Sequence, residues 1–122
     1  MARILLVDDE EIVLHLFVSI LELDHHEVTT AHDGNGALAA LAHGVFDLVI
    51  TDLVMPDKEG IETIVEMRKT RPELPIIAMS GGGRGSAADY LELAANLGAR
   101  KTLTKPFAAQ ALLDAVQEVL RP

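Results

Sequence analysis

Ile4 to Val7 is a short unbroken apolar run that ends in acids, and runs of the same kind recur at Phe46 to Thr51 and at Pro75 to Ser80. A strand buried on both faces has this signature, because neither side of its pleat meets water, and parallel sheets are where such strands occur. Between the runs, apolar residues return at helical spacing. Ile12, Val13, Leu16, Phe17, Ile20 and Leu23 share one face, Leu38, Leu41 and Ala42 a second, and Ile61, Ile64, Val65 and Met67 a third. Weaker strands are predicted at Glu27 to Ala31, rich in β-branched residues, and at Lys101 to Thr104, followed by helices that start near Gly36 and near Ala108. Five strands alternating with five helices predict an α/β fold: a doubly wound five-stranded parallel sheet with right-handed crossovers, most simply in the order 2-1-3-4-5. Turn residues punctuate the pattern at Asp33-Gly34, Gly60, Pro72, the Gly81 to Gly85 loop and Gly98, which ends a helix.

With 122 residues, 49% of them hydrophobic, the chain is long enough for one sizeable core and too short for two ordinary domains, so a single domain over residues 1–122 is expected. A formal charge of −9 without any run of Lys or Arg argues against nucleic acid or an anionic membrane as direct partner and favours cations and basic surfaces. The absence of cysteine excludes a disulfide framework, a zinc–thiolate site and a thiol nucleophile, which suits a cytoplasmic protein. The short apolar run after Met1-Ala2-Arg3 lacks the length and cleavage region of a signal peptide, and no stretch reaches membrane-spanning length.

The chemistry gathers where the strands end. Asp8 and Asp9 close the first strand and Asp52 the third, and in the predicted order these two strands are neighbours, so the acids converge at the carboxyl edge, where ligands bind such sheets. A lone acid after a strand is often just a helix N-cap. Two carboxylates 4 Å apart, however, repel by about 4 kcal/mol at an effective dielectric near 20, so three together call for a shared proton or a cation. Mg²⁺, which prefers hard oxygen ligands and retains waters, is the natural counter-ion. A carboxylate there can also act as a nucleophile toward phosphorus, provided a metal and a fixed cation neutralise the transferring oxygens. Lys105 follows the last strand and can reach across the strand ends; its bond to Pro106 is a candidate cis peptide that would direct the lysine. Ser80, closing the fourth strand, offers a hydroxyl to a phosphoryl oxygen, although an isolated serine there more often caps a turn.

Taken together, Ile4-Leu5-Leu6-Val7-Asp8-Asp9-Glu10, Asp47 through Asp57, Pro75-Ile76-Ile77-Ala78-Met79-Ser80 and Leu103-Thr104-Lys105-Pro106-Phe107 resemble the response-regulator receiver domains of two-component signalling, over nearly the whole chain. The resemblance implies a flavodoxin-like, CheY-like fold and a signalling role: no enzyme acting on a separate substrate, but a domain that catalyses only its own aspartyl phosphorylation and dephosphorylation. By similarity Asp52 is the phosphoacceptor, Asp9 a direct Mg²⁺ ligand, Asp8 a ligand acting mainly through water, and the Val54 main-chain carbonyl completes the protein's share of the metal shell. Ser80 and Lys105 hold the phosphoryl oxygens. The implied donor is a phosphohistidine on a sensor histidine kinase or phosphotransfer protein, and the implied recipient of the signal an output domain or protein.

The chain departs from the family where many receivers carry Tyr or Phe three residues before the lysine, since Thr102 stands there. An order-to-disorder change in the glycine loop after Ser80 and in the fourth helix is then the expected switch, with Tyr90 of that helix a weaker substitute for the ring. Val54 and Gly82 lack side chains able to position water, which predicts slow hydrolysis of the phosphoryl group. On the first helix, Leu14 and Val18 fall off the main apolar stripe and suggest a docking patch for a kinase helix or a second copy of the domain. His25 and His26 read as surface histidines, and His15, His32 and His43 as scattered.

Two other functions fit less well. A phosphohydrolase using the same aspartyl phosphate needs an acid two residues after its nucleophile, where Val54 follows Asp52; with Asp8 as nucleophile Glu10 would serve, but there is no length for a substrate-covering cap. A binding module that is never phosphorylated would have no need of every pocket residue type. A dinucleotide site is disfavoured by acids where glycines are needed after the first strand.

Overall fold

The computed structural model describes residues 2–53, 60–80, 92 and 94–121. Strands and helices alternate through them: β1 (Arg3–Val7), α1 (Glu11–Leu23), β2 (Glu27–Ala31), α2 (Gly34–His43), β3 (Leu48–Asp52), α3 (Gly60–Thr70) and β4 (Ile76–Ser80). A helical stretch ending at residue 96 (α4) leads to β5 (Lys101–Thr104) and α5 (Ala109–Leu120). All strand pairs are parallel, in the order β2-β1-β3-β4-β5, as the alternation predicts. Val54, the Gly81 to Gly85 loop and Tyr90, all singled out above, lie outside the described residues.

The continuous apolar runs are explained by two cores on opposite faces of one sheet. Ile4, Leu6, Leu48, Ile50, Ile77 and Met79 point to α1 and α5, meeting Leu14, Phe17, Leu21, Leu112 and Val116. Their alternate neighbours Leu5, Val7, Val49, Ile76 and Ala78 point to α2, α3 and α4, meeting Ala37, Leu41, Ile64, Met67 and Ala94. With period-2 side chains, each strand needs apolar residues at successive positions to serve both layers.

Element ends shift for identifiable reasons. Pro75 stays outside β4: its carbonyl accepts from Val49 N–H at 3.0 Å, but it has no N–H to give to a ladder. α2 begins at Gly34, ahead of the expected Gly36, because the Asp33 carboxylate accepts the Gly36 N–H at 2.7 Å and so sets the N-cap. At the other end of that helix, the Arg71 guanidinium donates to the carbonyls of Leu41 (2.6 Å) and Gly44 (3.2 Å).

The buried face of α1 differs from the one the periodicity suggests. Leu14, Phe17 and Leu21 are buried, whereas Ile12 and Leu23 are more than 80% exposed and Leu16 is 55% exposed. Leu14 and Val18, expected to form a docking patch, instead lie in or against the core. So many apolar positions fit two stripes, and period alone does not set the phase; the Phe17 ring, stacked on Phe107 with centroids 5.3 Å apart, does.

The exits of α1 and α4 use the same motif. His26 N–H bonds Leu21 O and His25 N–H bonds Glu22 O, with His25 in the left-handed region (φ 65°); Ala99 and Gly98 (φ 108°) repeat this with Ala94 and Ala95. His26 is no surface histidine. Its side chain is 7% exposed, and its Nδ1 accepts the Ala2 N–H at 3.1 Å, fastening the start of β1.

Candidate functional site

Four strand ends converge at the carboxyl edge. β1 delivers Asp8, β3 ends on Asp52, β4 ends on Ser80, and β5 leads into Lys105, whose backbone N–H bonds the Ser80 carbonyl at 2.9 Å. The Lys105–Pro106 bond is cis, as the sequence suggested. Phe107, missed as a site-forming residue, packs on Phe17 and so ties this turn to α1.

Asp8 is fully buried, Asp52 is 6% exposed and Ser80 1%. Lys105 Nζ lies 2.7 Å from Asp8 Oδ2 and 3.7 Å from Asp52 Oδ2. The other oxygens of these acids are held by main chain: Asp8 Oδ1 accepts from Glu10 N–H at 3.0 Å and Asp52 Oδ1 from Leu53 N–H at 2.9 Å. Each carboxylate is therefore fixed by one oxygen and turned by the other toward the lysine. Burial works against the Lys105 ammonium, but its bond to Asp8 and the charges of Asp52, Asp8 and Glu10 outweigh that and hold its pKa above the ordinary lysine value.

Gly60, at the start of α3, was read only as a turn residue. A Cβ there would stand 2.4 Å from the Asp52 carbonyl oxygen and 2.5 Å from Leu53 Cα, and its N–H bonds Leu53 O at 2.9 Å. Only glycine lets α3 approach the Asp52 main chain this closely.

Asp8, Asp9 and Glu10 bring carboxylate oxygens within 4.8 Å of one another, a group able to hold a metal ion. Glu10 is the member the sequence reading did not assign to the metal, though it was legible as the third acid of the run. An all-oxygen donor set of this kind suits a hard cation such as Mg²⁺. Ser80 Oγ is buried and has no hydrogen-bond partner among the described residues, so it is available to a ligand oxygen. Val54, expected to add its carbonyl, lies outside the described residues.

A buried carboxylate at a β-strand end, beside further acids and a lysine from the last strand, makes a charged pocket with the groups needed to hold a cation and an anionic oxygen. Residues 4–117 match the response regulator receiver domain, and the chain belongs to that family. It is 40% identical over 121 residues to the transcriptional regulatory protein CpxR of Klebsiella pneumoniae, covering 99% of this chain and 50% of that protein. It is 36% identical over 119 residues to the DNA-binding transcriptional regulator NtrC of Azospirillum brasilense, covering 98% and 24% respectively. The crystal structure of a response regulator receiver domain protein from Clostridium thermocellum superposes with a TM-score of 0.91 at 34% identity, covering 98% of this chain and 94% of that one. The chain thus spans half the length of CpxR and a quarter of NtrC. Among the described residues no helix is long and apolar enough to cross a membrane.

Proposed function

We propose that this receiver domain takes a phosphoryl group from a phosphohistidine onto Asp52 and changes conformation to control an output domain or protein. The donor would be a sensor histidine kinase or phosphotransfer protein, in the cytoplasm. The observation that carries the reading is the division of labour on Asp52: Oδ1 is tied to Leu53 N–H, while Oδ2 faces Lys105 at 3.7 Å. Oδ2 is the attacking oxygen. It bonds to phosphorus as the phosphorus–nitrogen bond to the donor imidazole breaks, the imidazole leaving with the electron pair and taking up a proton, so that an acyl phosphate remains on Asp52.

Lys105 then exchanges its bond to Asp8 for one to a phosphoryl oxygen, and the unpartnered Ser80 hydroxyl donates to another. Asp8, Asp9, Asp52 and the Val54 carbonyl would hold Mg²⁺, with the Glu10 carboxylate adjacent; when bound, that ion neutralises charge on the transferring oxygens. Drawing Ser80 and Lys105 inward pulls on the ends of β4 and β5, and because Thr102 replaces the usual aromatic residue, the change is expected in the segment after Ser80 rather than in a ring rotation.

Beryllofluoride, a phosphoryl mimic, tests the reading. Added with Mg²⁺, it should bind the wild type and shift the amide resonances of Ser80 and Lys105, and should leave Asp52→Asn unchanged. An Asp52→Asn response equal to wild type would overturn the assignment, and no response in either would favour a module that works by binding alone.

A further inference from the structure

His15 and His32 are far apart in sequence, yet the fold brings both to one carboxylate outside the acidic pocket. His32 Nε2, just past β2, is bonded to Glu11 Oε1, and His15 Nε2, one turn along α1 from Glu11, lies 3.4 Å from Glu11 Oε2. All three side chains are well exposed, at 83% for His15, 60% for Glu11 and 59% for His32. We infer that Glu11, His15 and His32 form a second metal site, for a transition-metal dication of the Zn²⁺, Ni²⁺ or Cu²⁺ class, distinct from the all-oxygen group of Asp8, Asp9 and Glu10.

The donor chemistry separates the two sites. Imidazole nitrogen is a poor ligand for Mg²⁺ but a preferred one for Zn²⁺, and two imidazoles with one carboxylate leave an open position for water. Glu11 and His15 stand at i and i+4, so their side chains rise from the same face of α1 one turn apart, the spacing by which a helix offers two ligands to one ion. His32 supplies the third ligand from a different element. Each imidazole would bind the ion through Nε2 as the tautomer with its single proton on Nδ1, and any proton held on Nε2 beforehand moves to Nδ1 or is released to solvent. His15 must turn from the Oε2 side toward His32, which its exposure allows. Because that ordering opposes binding, micromolar rather than nanomolar affinity is expected. The bound ion would cross-link the first turn of α1 to the β2–α2 connection, next to Glu10 of the phosphoacceptor pocket.

The test is calorimetric titration of the protein with Zn²⁺ in a large excess of Mg²⁺, which occupies hard-oxygen sites without competing for imidazole. One Zn²⁺ should bind per chain, with the imidazole resonances of His15 and His32 shifting together. His15→Ala, His32→Ala and Glu11→Gln should each weaken binding at least tenfold. His43→Ala should not, since His43 is bonded to its own helix through the Ala39 carbonyl. Circular dichroism checks that the variants remain folded. Absence of micromolar Zn²⁺ binding, or binding indifferent to His15→Ala and His32→Ala, would overturn the inference.

Discussion

Replacing Lys105 with Met keeps the length of the side chain and removes its charge, leaving two inward-facing carboxylate oxygens without their cation. At an effective dielectric near 20, contacts of 2.7 Å to Asp8 and 3.7 Å to Asp52 correspond to Coulomb attractions of about 6 and about 4.5 kcal/mol. Desolvation offsets most of this, and removing one partner of a buried pair costs about 3–5 kcal/mol. Lys105 keeps 19% of its side chain in water, which puts the loss near the lower end, about 3 kcal/mol. For a domain of this size that is a fall in Tm of roughly 10 °C. The deficit should be largest in EDTA. As Mg²⁺ is added it should shrink, because the cation replaces the missing ammonium and has no lysine to displace; Lys105→Met should therefore bind Mg²⁺ about tenfold more tightly than wild type, a gain of about 1.4 kcal/mol. The pH dependence has a fixed sign. A lysine whose folded pKa is raised stabilises fully below the unfolded value of about 10.4 and loses that contribution as pH rises through the folded pKa. The advantage of wild type over Lys105→Met should thus hold from neutral pH up to about 10.4 and fade only as pH rises through the raised folded pKa. Thermal unfolding across a Mg²⁺ series measures all of this, and a deficit that does not depend on Mg²⁺, or unchanged stability in EDTA, would refute the reasoning.

Three further outcomes are expected. Gly60→Ala should cost about 2 kcal/mol in denaturant unfolding and also slow phosphoryl uptake, because its Cβ would drive against the Asp52 carbonyl 2.4 Å away; unchanged uptake would mean that α3 does not position Asp52. His25→Gly should stabilise by about 0.5–1 kcal/mol, since glycine relieves the left-handed φ of 65° at the end of α1 more than it loosens the unfolded chain; destabilisation in a urea melt would contradict this. The aspartyl phosphate should decay slowly in Mg²⁺ buffer, as neither Val54 nor Gly82 has a side chain to position water; rapid loss of label without a phosphatase would contradict it.

How far the sequence was legible depended on how many elements must agree. The doubled apolar runs at Ile4 to Val7 and Pro75 to Ser80 pointed to a sheet covered on both faces, and their alternation with helical segments made 2-1-3-4-5 the simplest strand order. Asp8, Asp52 and Lys105 were legible as a set because each stands at the carboxyl end of a strand, and topology alone brings strand ends together. The phase of α1 was not, because its apolar residues fit two stripes and the choice was made by Phe107, 90 residues beyond Phe17, stacking on that ring. His26 and Gly60 carried no local signal: one is buried by a bond to Ala2, the other by contact with β3, and both partners are set by tertiary packing. The same holds for His15 and His32, which looked scattered because Glu11 joins them only once β2 lies beside β1.

The central proposal, that Asp52 is the phosphoacceptor, is met most directly by mass spectrometry. The protein is incubated with acetyl phosphate and Mg²⁺, the acyl phosphate is trapped by borohydride reduction, and the modified residue is located by fragmentation. One modification per chain at Asp52, absent in EDTA and in Asp52→Asn, is the predicted result. Modification at Asp8 or Asp9 instead, or uptake that persists in Asp52→Asn, would contradict the account.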